Sequence, residues 1–159
     1  DVAMWMGRER QVLEGALAGI PFWPQTAPLL AELKKRGLPA IIISSGFRYL
    51  ADKLARECGF AFKEIHANDF RWDPGGAMRG IRMGVSGVTE GKLSKGAILR
   101  DACYRLGIDP AETLAVGDST SDLPMFEAAG TSILLNDKPV CAATATLPPG
   151  ELLSIARYL

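Results

Sequence analysis

The chain has 159 residues, 48% of them apolar and 23% charged, which suits one globular domain with a real hydrophobic core. Lys+Arg and Asp+Glu balance at 18 each, so no basic excess points to nucleic acid and no charged tail points to a membrane surface. No apolar run is long enough to span a bilayer, and residues 1–6 lack the basic-then-apolar pattern of a signal peptide.

The three cysteines, Cys58, Cys103 and Cys141, are far apart and form no Cys-x-x-Cys pair, so they read as reduced, buried thiols of a cytoplasmic protein. His66 is the only histidine and reads as structural, because no second ligand or base stands near it in the sequence. The chain does not begin with Met and opens in what looks like the middle of a helix, so a fragment of a longer protein is expected.

Arg8 to Ala18 is helix-like. Thr26 to Arg36 reads as a helix capped by Thr26, with Leu29, Leu30 and Leu33 as its apolar stripe and Gly37 and Pro39 ending it. Ala40 to Ile43 is a short, wholly apolar, β-branched run of the kind buried on both faces of a parallel sheet. Ser44-Ser-Gly-Phe47 follows directly and leads into a helix that runs to Cys58 and stops at Gly59. Residues 60–88 carry a turn signal at Asp73-Pro-Gly-Gly76 between partly alternating segments, which predicts a β-hairpin insert.

Ser94 reads as the N-cap of a helix to Leu106, with Gly107 behind it. Thr113 to Val116 predicts a second buried strand, followed by a loop and a short helix that starts at Asp122 and ends at Gly130. Thr131 to Leu135 is a third strand, and short helices are expected at Pro139 to Ala143 and from Glu151. Strands alternating with helices imply an α/β fold with a parallel, doubly wound sheet.

In such sheets ligands sit beyond the carboxyl ends of the strands, and three segments put polar groups there or at a helix start. Asp118 leaves its strand through Gly117, and Asp122 follows at the helix start; two such carboxylates suit Mg²⁺, although a helix cap alone would account for Asp122. Ser44 and Ser45 end a strand before a helix, which suits phosphate, and a plain serine cap explains them equally. Lys95 lies in the first turn of its helix, against the macrodipole, so it is either a surface lysine or a cation kept there for an anion.

Taken together these segments resemble the haloacid dehalogenase (HAD) superfamily, in its phosphoserine phosphatase-like branch. Ile41-Ile-Ile-Ser-Ser-Gly-Phe47 is similar to the second family motif, Ser94-Lys-Gly-Ala-Ile-Leu99 to the third, and Leu114-Ala-Val-Gly-Asp-Ser-Thr-Ser-Asp122 with the residues up to Phe126 to the fourth. The resemblance implies phosphate binding by Ser44, the Ser45 N–H, Lys95 and Ser121, and catalytic support from Lys95 and Asp122. It implies Mg²⁺ held at Asp118 and Asp122, with Asp122 acting through Lys95 or a metal-bound water. Many members of the branch carry Gly where Ser45 stands and Asn where Ser121 stands.

The resemblance further implies a Mg²⁺-dependent phosphomonoester hydrolase that works through an aspartyl-phosphate on small phosphorylated metabolites such as phosphoserine, with neither nucleic acid nor membrane as partner. A phosphotransferase and a non-catalytic phosphate- or Mg²⁺-binding regulator are the alternatives. The family's first motif, Asp-x-Asp-x-Thr/Ser at the end of the first strand, does not occur in these 159 residues. Residues 1–23 are therefore expected to be the last piece of a helical cap, and residues 24–159 an α/β core without its first strand. On this expectation the chain alone is inactive.

Overall fold

A computed structural model describes residues 2–87 and 91–159 of the protein. Asp1, where the expected cap piece begins, and Val88, where the expected hairpin segment ends, lie outside the described residues. The elements are α1 (Arg10–Ala18), α2 (Thr26–Lys35), β1 (Ile41–Phe47), α3 (Arg48–Cys58), β2 (Glu64–Trp72), β3 (Met78–Arg82), α4 (Lys95–Leu106), β4 (Leu114–Gly117), α5 (Leu123–Ala128), β5 (Thr131–Leu135) and β6 (Ala145–Leu147). The architecture is α/β, as the alternation of periodicities implies.

Helix ends fall where chain chemistry puts them. Gly59 and Gly107 close α3 and α4 in the left-handed conformation, at φ 58° and 67°, which costs glycine nothing. The Ser94 hydroxyl caps α4 by accepting from the Ala97 N–H. At α2 the expectation fails: Gln25 occupies the cap position without a side-chain bond, and Thr26 is the first helical residue.

Three further expectations are corrected. The first strand does not stop at Ser44 but continues to Phe47, while the helix begins at Arg48, directly after Phe47 as expected. A register shift between Ile43 and Phe47 absorbs the serines, and the Gly46 N–H bonds back to Ser44 Oγ at 3.0 Å. Residues 139–143 form no helix; they lead instead into β6, an unanticipated strand, where the Ser132 and Thr144 side chains bond each other's backbone N–H at 3.0 Å. The C-terminal segment is 3₁₀ rather than α-helical, from Pro149 to Arg157, with a non-helical break at Glu151.

The hairpin is present and does more than was read from its turn. β2 pairs antiparallel with β3 but also lies parallel to β1, from Ile41 opposite Glu64 onward. Residues 7–10 extend this side as a short bridge: Gly7 N–H bonds the Met78 carbonyl, Arg8 carbonyl accepts from Met78 N–H, and Arg10 N–H bonds Gly76. The Arg10 guanidinium covers the Trp72 ring at 4.9 Å. Lys53 of α3 ties the next segment by donating to the Ile20 carbonyl at 2.5 Å.

The strands form two three-stranded sheets, β1-β2-β3 and β4-β5-β6, the second wholly parallel. Among the described residues β1 pairs only with β2, and β4 only with β5. Both strands line one cavity of about 720 Å³, whose walls include Ile41, Ile43, Leu114 and Val116. Helix α4 spans the two sheets: its Leu99 and Cys103 are buried with Ala115 and Leu134 of one sheet and pack against Ile41 and Ile43 of the other. Burial of a side chain the size of Leu99 contributes ~1.5–3 kcal/mol, so this helix helps to hold the halves together.

Candidate active site

Polar side chains collect at the carboxyl end of β4 and the first turn of α4. β4 delivers the chain into Gly117 and Asp118, and a 3₁₀ turn over Thr120–Asp122 returns it into α5. Gly117 is required by space: a Cβ there would stand 2.4 Å from Cγ of Asp122. The Asp122 side chain therefore folds directly over the strand end.

Asp122 is 3% exposed and Lys95 7%. Lys95 Nζ donates to Asp122 Oδ1 at 2.5 Å and lies 3.4 Å from Ser121 Oγ. Asp122 Oδ2 accepts from the Asp118 and Ser119 N–H groups, each at 3.0 Å, and from Ser119 Oγ at 3.2 Å. Both carboxylate oxygens are thus engaged inside the protein. Asp122 suits indirect support of a metal site, through Lys95 and the loop, better than direct ligation.

This pair explains why a lysine sits against the helix macrodipole: its counter-charge is a buried carboxylate 27 residues away in sequence. α4 can approach the loop because Gly96 leaves room; a Cβ there would stand 2.2 Å from the Pro124 carbonyl oxygen.

Asp118 is exposed, and its carboxylate has no hydrogen bond or ion pair among the described residues. Its backbone is tied on both sides, by Asp122 at the N–H and by Asn136 Nδ2 at the carbonyl, the latter at 3.0 Å. Among the described residues no group of three His, Cys, Asp or Glu side chains converges. Asp118 nevertheless fits Mg²⁺, which commonly takes one or two protein carboxylates and fills its shell with water and substrate phosphate oxygens.

Ser44 is half-buried and Ser45 exposed, both within β1. Among the described residues no hydrogen bond joins either serine to the Lys95–Asp122 cluster. Two positions went unnoticed in the sequence. Asn68, 5% exposed on β2, donates to the Ser45 carbonyl at 2.8 Å and accepts from the Gly84 and Val85 N–H groups, so it fixes the strand end that carries both serines. A polar amide inside the half-apolar β2 was the available signal, since buried amides need partners. Asn136 gave no such signal, because it follows its strand like any loop residue.

His66 lies away from this cluster. Its Nε2 is 2.6 Å from Glu64, which also binds Arg105 near the far end of α4, on the order of 15 Å along the helix from Lys95. Arg105 first, and then His66, hold the Glu64 carboxyl down from 4.5 to about 2. The three cysteines are free thiols.

The haloacid dehalogenase-like hydrolase profile matches residues 1–130. The chain belongs to the haloacid dehalogenase-like hydrolase family. Within it the likeness is to phosphoserine phosphatases. This HAD-family chain is 32% identical to the phosphoserine phosphatase of Streptococcus thermophilus over 145 residues, covering 91% of the chain and 64% of that protein. To the phosphoserine phosphatase of Streptomyces coelicolor it is 28% identical over 144 residues, covering 91% and 34%.

A substrate-bound phosphoserine phosphatase structure superposes with a TM-score of 0.85 at 26% identity, over 99% of this chain and 73% of that one. A phospho-aspartyl intermediate analogue of a phosphoserine phosphatase gives 0.81 at 25% identity, over 99% and 74%. The chain thus spans between about a third and two thirds of the length of these two curated relatives. No helix among the described residues is long and apolar enough to cross a membrane.

Proposed function

We propose that this chain is the phosphate- and metal-holding part of a Mg²⁺-dependent phosphomonoester hydrolase of phosphoserine phosphatase type. The observation that carries the reading is the buried Lys95–Asp122 pair beneath a loop that presents an Asp118 carboxylate with no partner among the described residues. Asp118 would hold Mg²⁺, which when bound offsets negative charge on the phosphoryl oxygens. Lys95 supplies a second positive charge from a low-dielectric position, and its aim is fixed by Asp122. Ser121 adds a hydroxyl next to Lys95, and Ser44 with the Ser45 N–H would bind the phosphoryl group from the β1 side.

The reaction proceeds in two displacements. An aspartate carboxylate attacks phosphorus and expels the substrate alcohol, and water then cleaves the aspartyl-phosphate to give inorganic phosphate. These 159 residues contain no Asp-x-Asp segment to supply that aspartate. We place it on a strand seated between β1 and β4, beyond the cap piece of residues 1–23. Support comes from the edges of β1 and β4 along one apolar cavity, which have no strand partner among the described residues, since buried strand edges are costly unless paired. The substrate is a small phosphorylated metabolite such as phosphoserine. We place the protein in the cytoplasm, where its three free thiols stay reduced.

The test compares the chain alone with the chain joined to a supplied strand carrying Asp-x-Asp and a helical cap segment. With Mg²⁺ and phosphoserine, the chain alone should release no phosphate. The joined protein should release it, and Asp118→Asn should abolish that release. Turnover by the unjoined chain that Asp118→Asn removes would refute the assignment of the nucleophile. Failure of the joined, folded protein on any phosphate ester would favour a non-catalytic binding role.

A further inference from the structure

Asp118 is held in an unusual way. Its backbone N–H is bound by the Asp122 carboxylate at 3.0 Å and its backbone carbonyl by Asn136 Nδ2 at 3.0 Å, while its own carboxylate has no partner among the described residues. Both main-chain polar groups are fixed by side chains, and only the two side-chain torsions of Asp118 remain free to seek a ligand. One clamp, Asp122, lies inside the loop. The other comes from a different element, directly after β5.

Asn136 is itself fully determined. Its Oδ1 accepts from the Lys138 N–H at 3.0 Å, and its backbone N–H bonds the Leu147 carbonyl at 3.0 Å. Because one neighbour is an N–H and the other a carbonyl, only one orientation of the amide satisfies both. The two strands are in register beneath it, with Leu134 paired to Gly117, so the end of β5 is carried to the end of β4. Cys141, further along the same connection, adds a weaker hold through its Sγ, 3.7 Å from the Ser119 carbonyl. Burial first, and then the charge of Asp122, push that thiol's pKa up, so it keeps the proton it donates.

We infer that Asn136 is a positioning residue for the metal ligand Asp118: it fixes the loop carbonyl and thereby the direction in which the Asp118 carboxylate points. The inference rests on Asp118 being the metal ligand, as proposed above. A side chain that orients a ligand typically matters for affinity about ten- to a hundredfold when lost. Asn136→Asp is the sharpest probe, since it keeps the size and the acceptor to Lys138 but replaces the donor with an oxygen facing the Asp118 carbonyl.

The experiment titrates the 159-residue chain with Mn²⁺, followed by electron paramagnetic resonance, beside Asn136→Asp, Asn136→Ala and Asp118→Asn. Metal-free thermal unfolding is run on each. The parent should bind, Asp118→Asn should not, and both Asn136 variants should bind about ten- to a hundredfold more weakly with little change in metal-free melting temperature. If Asn136→Asp folds poorly, Asn136→Ala gives the reading. A folded Asn136 variant that binds Mn²⁺ as the parent does overturns the inference and leaves Asp118 standing. So does a loss of binding that only parallels a fall in metal-free stability. A parent that binds no better than Asp118→Asn removes the assignment of Asp118, and this inference with it.

Discussion

The side chains of Lys95 and Asp122 are 8% and 4% exposed, and each charge is tolerable there only because of the other. Removing one partner strands an uncompensated charge in a low-dielectric pocket, which typically costs ~3–5 kcal/mol. Lys95→Met, close in volume, is therefore expected to lower unfolding stability by about that amount in urea titrations. Adding Asp122→Asn in the same chain should recover much of the loss, since the neutral amide removes the stranded charge and keeps an oxygen for the Asp118 and Ser119 N–H groups. A loss below about 1 kcal/mol would show the pair to be solvated like an ordinary surface bridge. The carboxylate has a second duty: by accepting from the Asp118 and Ser119 N–H groups, it builds the loop that presents Asp118.

At the scale of elements, α4 links the two sheets through Leu99 and Cys103, and its last turn is pinned to β2 by Arg105, whose Nη2 lies 2.6 Å from Glu64. Arg105 also binds Asp101 one turn back. The folded Glu64 carboxyl titrates near 2 against a usual 4.5, so its contribution to stability is complete above pH 4.5 and is lost as pH falls toward 2. Acid unfolding of the parent should steepen through that window. Glu64→Gln should flatten the decline there. Equal pH slopes in the two proteins would show that this tie carries no net weight. His66 belongs to this cluster, so its role is at the β2–α4 junction, as its isolation in the sequence suggested.

For the whole molecule, the decisive feature is the cavity between β1 and β4. Strand edges without partners exchange their amide hydrogens readily, and pairing protects them. Hydrogen exchange followed by mass spectrometry should therefore show fast exchange in peptides covering residues 40–47 and 113–117 of the chain alone. The same peptides should be protected in the protein joined to the Asp-x-Asp strand. Unchanged exchange on joining would place the added strand elsewhere. The outer strands of the two sheets, β3 and β6, should not change.

Much of this was readable from residue order alone. The α/β alternation, the Ser94 cap, the glycine stops at Gly59 and Gly107, and the β4–Gly117–Asp118 delivery all depend on neighbours a few positions apart, where backbone preference and periodicity act directly. The triplet Ser44, Lys95 and Asp118 was likewise visible as residue types at strand ends and a helix start. Other features were settled only in three dimensions. The passage of β1 through Ser44 to Phe47 depends on pairing with β2, and β6 forms because β5 offers it an edge. The engagement of both Asp122 oxygens, the amide of Asn68 behind Ser45 and that of Asn136 behind Asp118 join residues between 3 and 27 positions apart. The sequence by itself determined which side chains could handle phosphate and metal, because that is a matter of chemical type and local backbone. Only the tertiary structure decided which oxygens are already occupied and which carboxylate has no partner among the described residues, because those contacts exist only once distant segments are packed together.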